Sequence, residues 1–241
     1  MKTLILTDLH RGFNKKTAQI HEAAFNAILS QHKIELVIVS GDLGTSSLKD
    51  VANCFKFLRK KFGSIKILVV LGNHDFWDSE IKSLHQKFEK IQNYADEYDI
   101  HLLENKPFET DQSIFLGYNG WYGSLEKNTK DALYMKHMFV DNLPMDLYLQ
   151  KRADEAVNFI LDYEKDPNKK VIIVTHFPIV EELFDNPSLS GNPRHGEALL
   201  PIADVIIYGH SHLKVYEKIG KTLIINTGSD YNDVQYIIED L

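Results

Sequence analysis

Five short polar blocks bring together residues able to bind metal or move protons: Asp8-Leu9-His10, Gly41-Asp42, Gly72-Asn73-His74-Asp75, Thr175-His176 and Gly209-His210-Ser211-His212. Five of the 11 histidines fall in them. Carboxylate, amide and imidazole donors without a thiolate make a ligand mix suited to Mn, Fe, Zn, Co or Ni. Asp8, His10, Asp42, Asn73, His176, His210 and His212 are more ligand-type residues than one tetrahedral ion uses. The pattern therefore predicts two divalent ions sharing a carboxylate.

Each block closes an apolar, β-branched run, at residues 4–6, 36–39, 65–71, 171–174 and 205–208, and a sixth run spans 223–225. Near-continuous apolarity predicts strands covered on both faces. Apolar residues at spacings of three and four predict helices over 15–30, 48–62, 81–95 and 149–163. Strand alternating with helix predicts an α/β fold, in which the carboxyl ends of neighbouring strands open onto one crevice and gather residues distant in sequence. Residues 107–116 read as one or two short strands, 117–123 as a glycine-punctuated aromatic loop, and 185–196 as an irregular surface loop.

The 241 residues are 44% hydrophobic and 25% charged, which excludes a disordered or fibrous chain. A chain of this mass buries roughly 70% of its surface in one core, so a single domain over 1–241 is expected. With 27 Lys plus Arg against 34 Asp plus Glu the net charge is −7, which disfavours general binding to a nucleic-acid backbone. Cys54 is the single cysteine, so there is no internal disulfide and no thiolate cluster. No apolar run approaches the ~20 residues of a membrane helix, and the amino terminus does not read as a signal peptide. A cytoplasmic location, with no membrane partner, is the expectation.

In order and spacing the five blocks resemble those of the calcineurin-like metallophosphoesterases, and the resemblance runs from Asp8 to His212. It implies an α/β fold built as a sandwich of two mixed β-sheets flanked by helices. It also implies a metal-dependent phosphoric ester hydrolase that uses two divalent ions (Mn, Fe, Zn or similar) and acts on a phosphodiester or small phosphomonoester. Asp8, His10 and His212 would hold one ion and Asn73, His176 and His210 the other, with Asp42 bridging. Paired ions lower the pKa of a bridging water to supply hydroxide and neutralise phosphate oxygens during in-line attack. His74, beside Asn73, would touch the phosphate or protonate the leaving oxygen as the catalytic residue.

Departures narrow the subfamily. Gly41-Asp42 continues as Leu43-Gly44-Thr45-Ser46, without the Asp-Arg-Gly of the protein Ser/Thr phosphatases, so the usual partner of His74 is missing and Asp75 or backbone must orient it. There is no tyrosine ligand as in purple acid phosphatases, no arginine at position 74 as in the lipid A pathway hydrolases, and no room for the capping domain of DNA-repair nucleases. Arg11 is a candidate for bidentate contact with a phosphate oxygen, and Arg194 and His195 are candidates for the mouth of the site. Tyr118, Trp121 and Tyr122 would stack on a base or pack their loop onto the core. Two rival readings are a non-catalytic scaffold on the same fold and a nuclease acting on DNA or RNA. Oligomeric state is open.

Overall fold

The computed structural model describes residues 1–78, 80–81, 83–104, 106–123, 139–140, 143–183 and 190–241. Thirteen strands and five α-helices occur among them. The strands are β1 (Lys2–Thr7), β2 (Leu36–Ser40), β3 (Lys66–Val70), β4 (His101–Leu102), β5 (Phe108–Glu109), β6 (Ser113–Gly117), β7 (Phe139–Val140), β8 (Leu143–Pro144), β9 (Lys170–Val174), β10 (Val205–Ile207), β11 (Val215–Ile219), β12 (Thr222–Asn226) and β13 (Ile237–Asp240). The helices are α1 (Lys15–Gln31), α2 (Leu48–Phe62), α3 (Leu84–Glu97), α4 (Met145–Asp162) and α5 (Pro193–Leu199).

A five-stranded sheet runs β13-β1-β2-β3-β4 and a six-stranded sheet runs β11-β12-β10-β9-β6-β5, while β7 and β8 form a separate ribbon. Both sheets are mixed. In the first, β1 to β4 are parallel and β13 joins β1 antiparallel. In the second, β6, β9, β10 and β12 are parallel, with β5 and β11 added antiparallel at the edges.

Side-chain alternation along the apolar strands explains why two cores form. Ile5, Ile38, Leu68 and Val70 of the first sheet meet Phe115, Ile172, Val174, Val205, Ile207 and Ile225 of the second in an inter-sheet core. The intervening Leu4, Leu6, Val37, Val39, Ile67 and Val69 face the other way and pack with Phe25, Val51, Phe55 and Leu58 of α1 and α2. Each helix follows its apolar spacing and starts at a suitable cap. Asn14, Ser47 and Ser83 accept the amides of Thr17, Asp50 and Gln86. The cap at Ser83 explains why α3 begins at Leu84, three residues later than its periodicity predicts. The segment read as an irregular loop, 185–196, includes the start of α5, entered through the Asn192 cap and Pro193 in the first turn. Its residues 185–189 lie outside the described residues, as does His137. Tyr118, Trp121 and Tyr122 are buried, so they pack their loop onto the core. Cys54 is wholly buried on α2. Among the described residues no helix is long and apolar enough to cross a membrane.

Candidate metal centre

The parallel strands β1, β2, β3, β9 and β10 all deliver their following residues to one edge of the sandwich. The backbone there takes a conformation unusual for side-chain-bearing residues. Asp8, His10, Asp42, His210 and His212 have φ between 42° and 66°, and among the described non-glycine residues only Asp99 shares this left-handed region. Asp and His tolerate it better than most residues do. The loops are also stitched together: the amide of His10 donates to the Asp42 carbonyl (2.8 Å), that of Gly209 to His176 (2.9 Å) and that of His176 to Asn119 (3.0 Å).

Three groups of ligand-type atoms, each within 4.8 Å of one another, result: Asp8, His10 and His212; Asp42, His176 and His210; and His10, Asp42 and His74. Asp42 is the common neighbour. Its Oδ1 lies 3.4 Å from His176 Nε2, and its Oδ2 lies 3.7 Å from His10 Nε2 and 4.0 Å from His74 Nε2. Asn73 Oδ1 lies 3.0 Å from His176 Nε2, which brings the remaining residue of the expected set into contact.

The donor chemistry fits divalent cations. His176 Nδ1 donates to the Ser40 carbonyl (3.0 Å) and His212 Nδ1 to the Ser229 carbonyl (2.6 Å). A carbonyl only accepts, so the proton sits on Nδ1 and Nε2 presents its lone pair. His10 is wholly buried with no hydrogen bond at either ring nitrogen, and Asp8 Oδ2 is buried and unpartnered. Groups of this kind are costly unless something binds them. Burial and the nearby imidazoles push His10 down to about 2, and burial holds His176 well below the usual histidine range. Both are neutral, as ligation requires. Burial raises Asp8 to about 6, opposed by His212 and by the His210 amide, which donates to Oδ1 at 2.9 Å. A cation nearby would reverse that rise.

His74 has a different neighbourhood. Its Nδ1 donates to the Thr45 carbonyl at 2.9 Å, its ring packs 3.7 Å from that of Trp77, and its amide donates to Asp42 Oδ1 at 3.0 Å. Backbone thus orients it. Asp75 instead accepts the amides of Leu43 (2.9 Å), Gly44 (3.1 Å) and Gly72 (2.8 Å), tying the loop after β2 to the loop after β3. Burial lowers His74 to about 4.

The expected substrate contacts fare differently. Arg11 turns onto α2, with its guanidinium 3.5 Å from the Phe57 ring centre, rather than joining the cluster. His195 is buried and bonds through Nε2 to Asp154 of α4 at 2.7 Å. Arg194 is exposed in the first turn of α5. Just before that helix Gly191 bridges to Tyr122, whose ring lies 5.7 Å from His210. Trp77, against His74, and Tyr231 both escaped the sequence reading. The Tyr231 ring stacks on His10 at 4.1 Å and 14°, and its hydroxyl lies 3.4 Å from His74 Nε2. The signal available was position: Tyr231 follows the sixth apolar run, as the other site residues follow theirs.

Comparison with known proteins places this architecture. The two-sheet fold matches phosphopantetheinyl hydrolase from Mycobacterium tuberculosis with a TM-score of 0.71 at 16% identity, covering 94% of this chain and 88% of that one. It matches a Thermus thermophilus protein at 0.60 and 11% identity over 99% and 98% of the two chains. A third match is the anchor in the inner membrane complex of Plasmodium, at 0.54 and 17% identity over 95% and 72%. At these identities the likeness is one of fold. No curated protein matches the sequence. The calcineurin-like phosphoesterase profile matches residues 1–214, and the chain belongs to that family.

Proposed function

We propose that the chain is a single-domain phosphoesterase that depends on two divalent ions and hydrolyses a phosphodiester or a small phosphomonoester. The observation that carries this reading is the Asp42 carboxylate, flanked by imidazoles belonging to both ligand groups at 3.4 Å and 3.7 Å. Asp8, His10 and His212 would hold one ion, and Asn73, His176 and His210 the other. The ions supply Lewis-acid activation of water and charge neutralisation at phosphorus. The chain's own residues do the rest. Ser40 and Ser229 carbonyls fix two imidazoles with Nε2 outward, and Asp75 fixes the loops that carry Asp42 and Asn73. His74, its Nδ1 proton committed to Thr45, has Nε2 as its exchangeable position, and a phosphate beside it favours protonation there. The protonated Nε2 then donates to the leaving oxygen. The absence of Asp-Arg-Gly after Asp42 argues against phosphoprotein substrates. A cytoplasmic location belongs to the same reading and rests on composition.

Elemental analysis and kinetics test it. Protein reconstituted with Mn²⁺ should carry two ions per chain, and Asp42→Asn should weaken both. The loaded protein should hydrolyse an aryl phosphodiester at least as fast as a phosphoserine peptide. A stoichiometry that never exceeds one ion would overturn the dinuclear reading, and a strong preference for the peptide would overturn the substrate class. Two bound ions with no hydrolysis of any ester would favour a scaffold.

A further inference from the structure

Arg11 lies next to a candidate ligand in sequence, but its side chain leaves the cluster. Its amide donates to the Leu43 carbonyl at 2.8 Å, beside the His10–Asp42 pairing. The chain then turns at Gly12, where φ is +130° and a Cβ would stand 2.7 Å from the Asp50 carboxylate. This turn lays the guanidinium over Phe57. There it forms one end of a groove of about 650 Å³ between α1 and α2.

The walls follow from helical periodicity. Lys15, Ala18 and Glu22 are three and four residues apart on α1, while Asn53, Lys56, Phe57 and Lys60 keep the same spacing on α2. Small Ala18 leaves space between the helices, and Phe57 supplies the floor. Arg11, Lys15, Lys56 and Lys60 line the groove against two carboxylates, Glu22 and Asp50. Glu22 is already ion-paired with Lys61. None of the four lining cations makes an ion pair among the described residues, and Arg11 Nη1 is buried without a hydrogen-bond partner. In a chain of net charge −7 this is a concentrated positive surface, and its lining residue Asp50 reaches Thr45, whose carbonyl orients His74.

The geometry points to a second anion site: the α1–α2 groove takes the remote phosphate of a small substrate that carries more than one. Arg11, held flat by Phe57, offers a planar pair of donors suited to two phosphate oxygens. Lys15, Lys56 and Lys60 add mobile point charges around it. The bound molecule would place one phosphate at the metal centre and another in the groove. The link to catalysis rests on the phosphoesterase reading, whereas the anion site does not.

Titrating inorganic tripolyphosphate onto metal-free protein separates the two. Binding should be saturable and should weaken with added salt. It should weaken at least tenfold in Arg11→Ala and in the double variant Lys56→Glu/Lys60→Glu. The two lysines are exposed, so the double variant stands even if Arg11→Ala misfolds. Absence of binding at millimolar concentration, or binding that survives both changes, overturns the site. With Mn²⁺-loaded protein, the ratio of kcat/KM for adenosine 3′,5′-bisphosphate to that for adenosine 5′-monophosphate should fall about tenfold in the double variant. The change should come through KM. An unchanged ratio overturns the substrate role. Loss of all hydrolysis in the wild type would count against the phosphoesterase reading, and the metal-free titration would still decide the groove.

Discussion

His74 Nδ1 donates to the backbone carbonyl of Thr45, so a peptide group fixes the ring where related phosphatases use a carboxylate. An uncharged acceptor orients the imidazole without raising its basicity as strongly as an ion pair would. If His74 acts on the phosphoryl group rather than on metal, His74→Ala keeps both ions and loses about 10²- to 10⁴-fold in kcat. The loss is smaller for an aryl ester than for an alkyl ester, because a good leaving group needs little protonation. Metal analysis beside the two rate measurements checks this. Loss of an ion would instead make His74 a ligand in the group it forms with His10 and Asp42.

His176 contacts both Asn73 and Asp42 through one nitrogen, 3.0 Å and 3.4 Å away. His176→Ala removes that nitrogen while leaving the Asp8, His10 and His212 group intact. The expected outcome is one ion per chain and loss of hydrolysis together. Retention of both ions would remove His176 from the ligand set.

Asp75 satisfies three backbone amides at once. Its replacement by Ala leaves them without acceptors in a dry interior, at about 1–3 kcal/mol per unmet group before relaxation. Equilibrium urea unfolding of the metal-free protein should therefore show a loss of at least ~3 kcal/mol. A loss under ~1 kcal/mol would mean that the two loops hold their shape unaided.

His21, buried on α1 against Phe25 and Phe57, is pushed down to about 4 by burial and by Arg11. Its folded-state pKa lies below the unfolded value near 6.5, so the stability it contributes is present above that value and lost as pH falls toward 4. A shift of this size corresponds to roughly 3 kcal/mol. His21→Phe should flatten the decline in stability between pH 6.5 and pH 4 relative to the wild type. Unfolding curves at both ends of that window measure it, and an unchanged slope would show that burial does not lower His21 in the fold.

At Gly72 the backbone runs so close to the loop after β2 that a Cβ would collide with Asp42 Oδ1 and the Asp42 amide. Gly72→Ala is expected to displace the shared carboxylate and so weaken both ions. Circular dichroism should report the fold retained while metal content falls.

The convergence of the candidate ligands was legible because buried parallel strands are nearly continuous apolar runs, so the first polar residue after each marks its carboxyl end. Residues 4–6 and 36–39 locate Asp8 and Asp42 in this way without any side-chain geometry. The direction of a side chain leaving such a run was not legible. Arg11 depends on the turn at Gly12, and His195 depends on an encounter with Asp154, 41 residues away in sequence. Edge strands were missed for a related reason. β11 carries Tyr216, Glu217 and Lys218 exposed, and such a strand lacks the apolar run that identified its neighbours. The Asn192 cap followed by Pro193 was a readable helix start inside a segment whose composition suggested a loop.

Five candidate ligands hold left-handed backbone, where a residue other than glycine costs about 1 kcal/mol or more. In the proposed reading, bound cations would offset that backbone strain. Replacing His212, a partly exposed member at φ 54°, by glycine would relax the peptide geometry while deleting a donor. The two effects then part company. The cation-free chain should melt no lower than the parent, whereas the heat resistance that the parent gains on loading should shrink. Glycine at these positions would relieve the backbone, so His and Asp there lower the stability of the metal-free chain in exchange for the donors that the proposed centre needs.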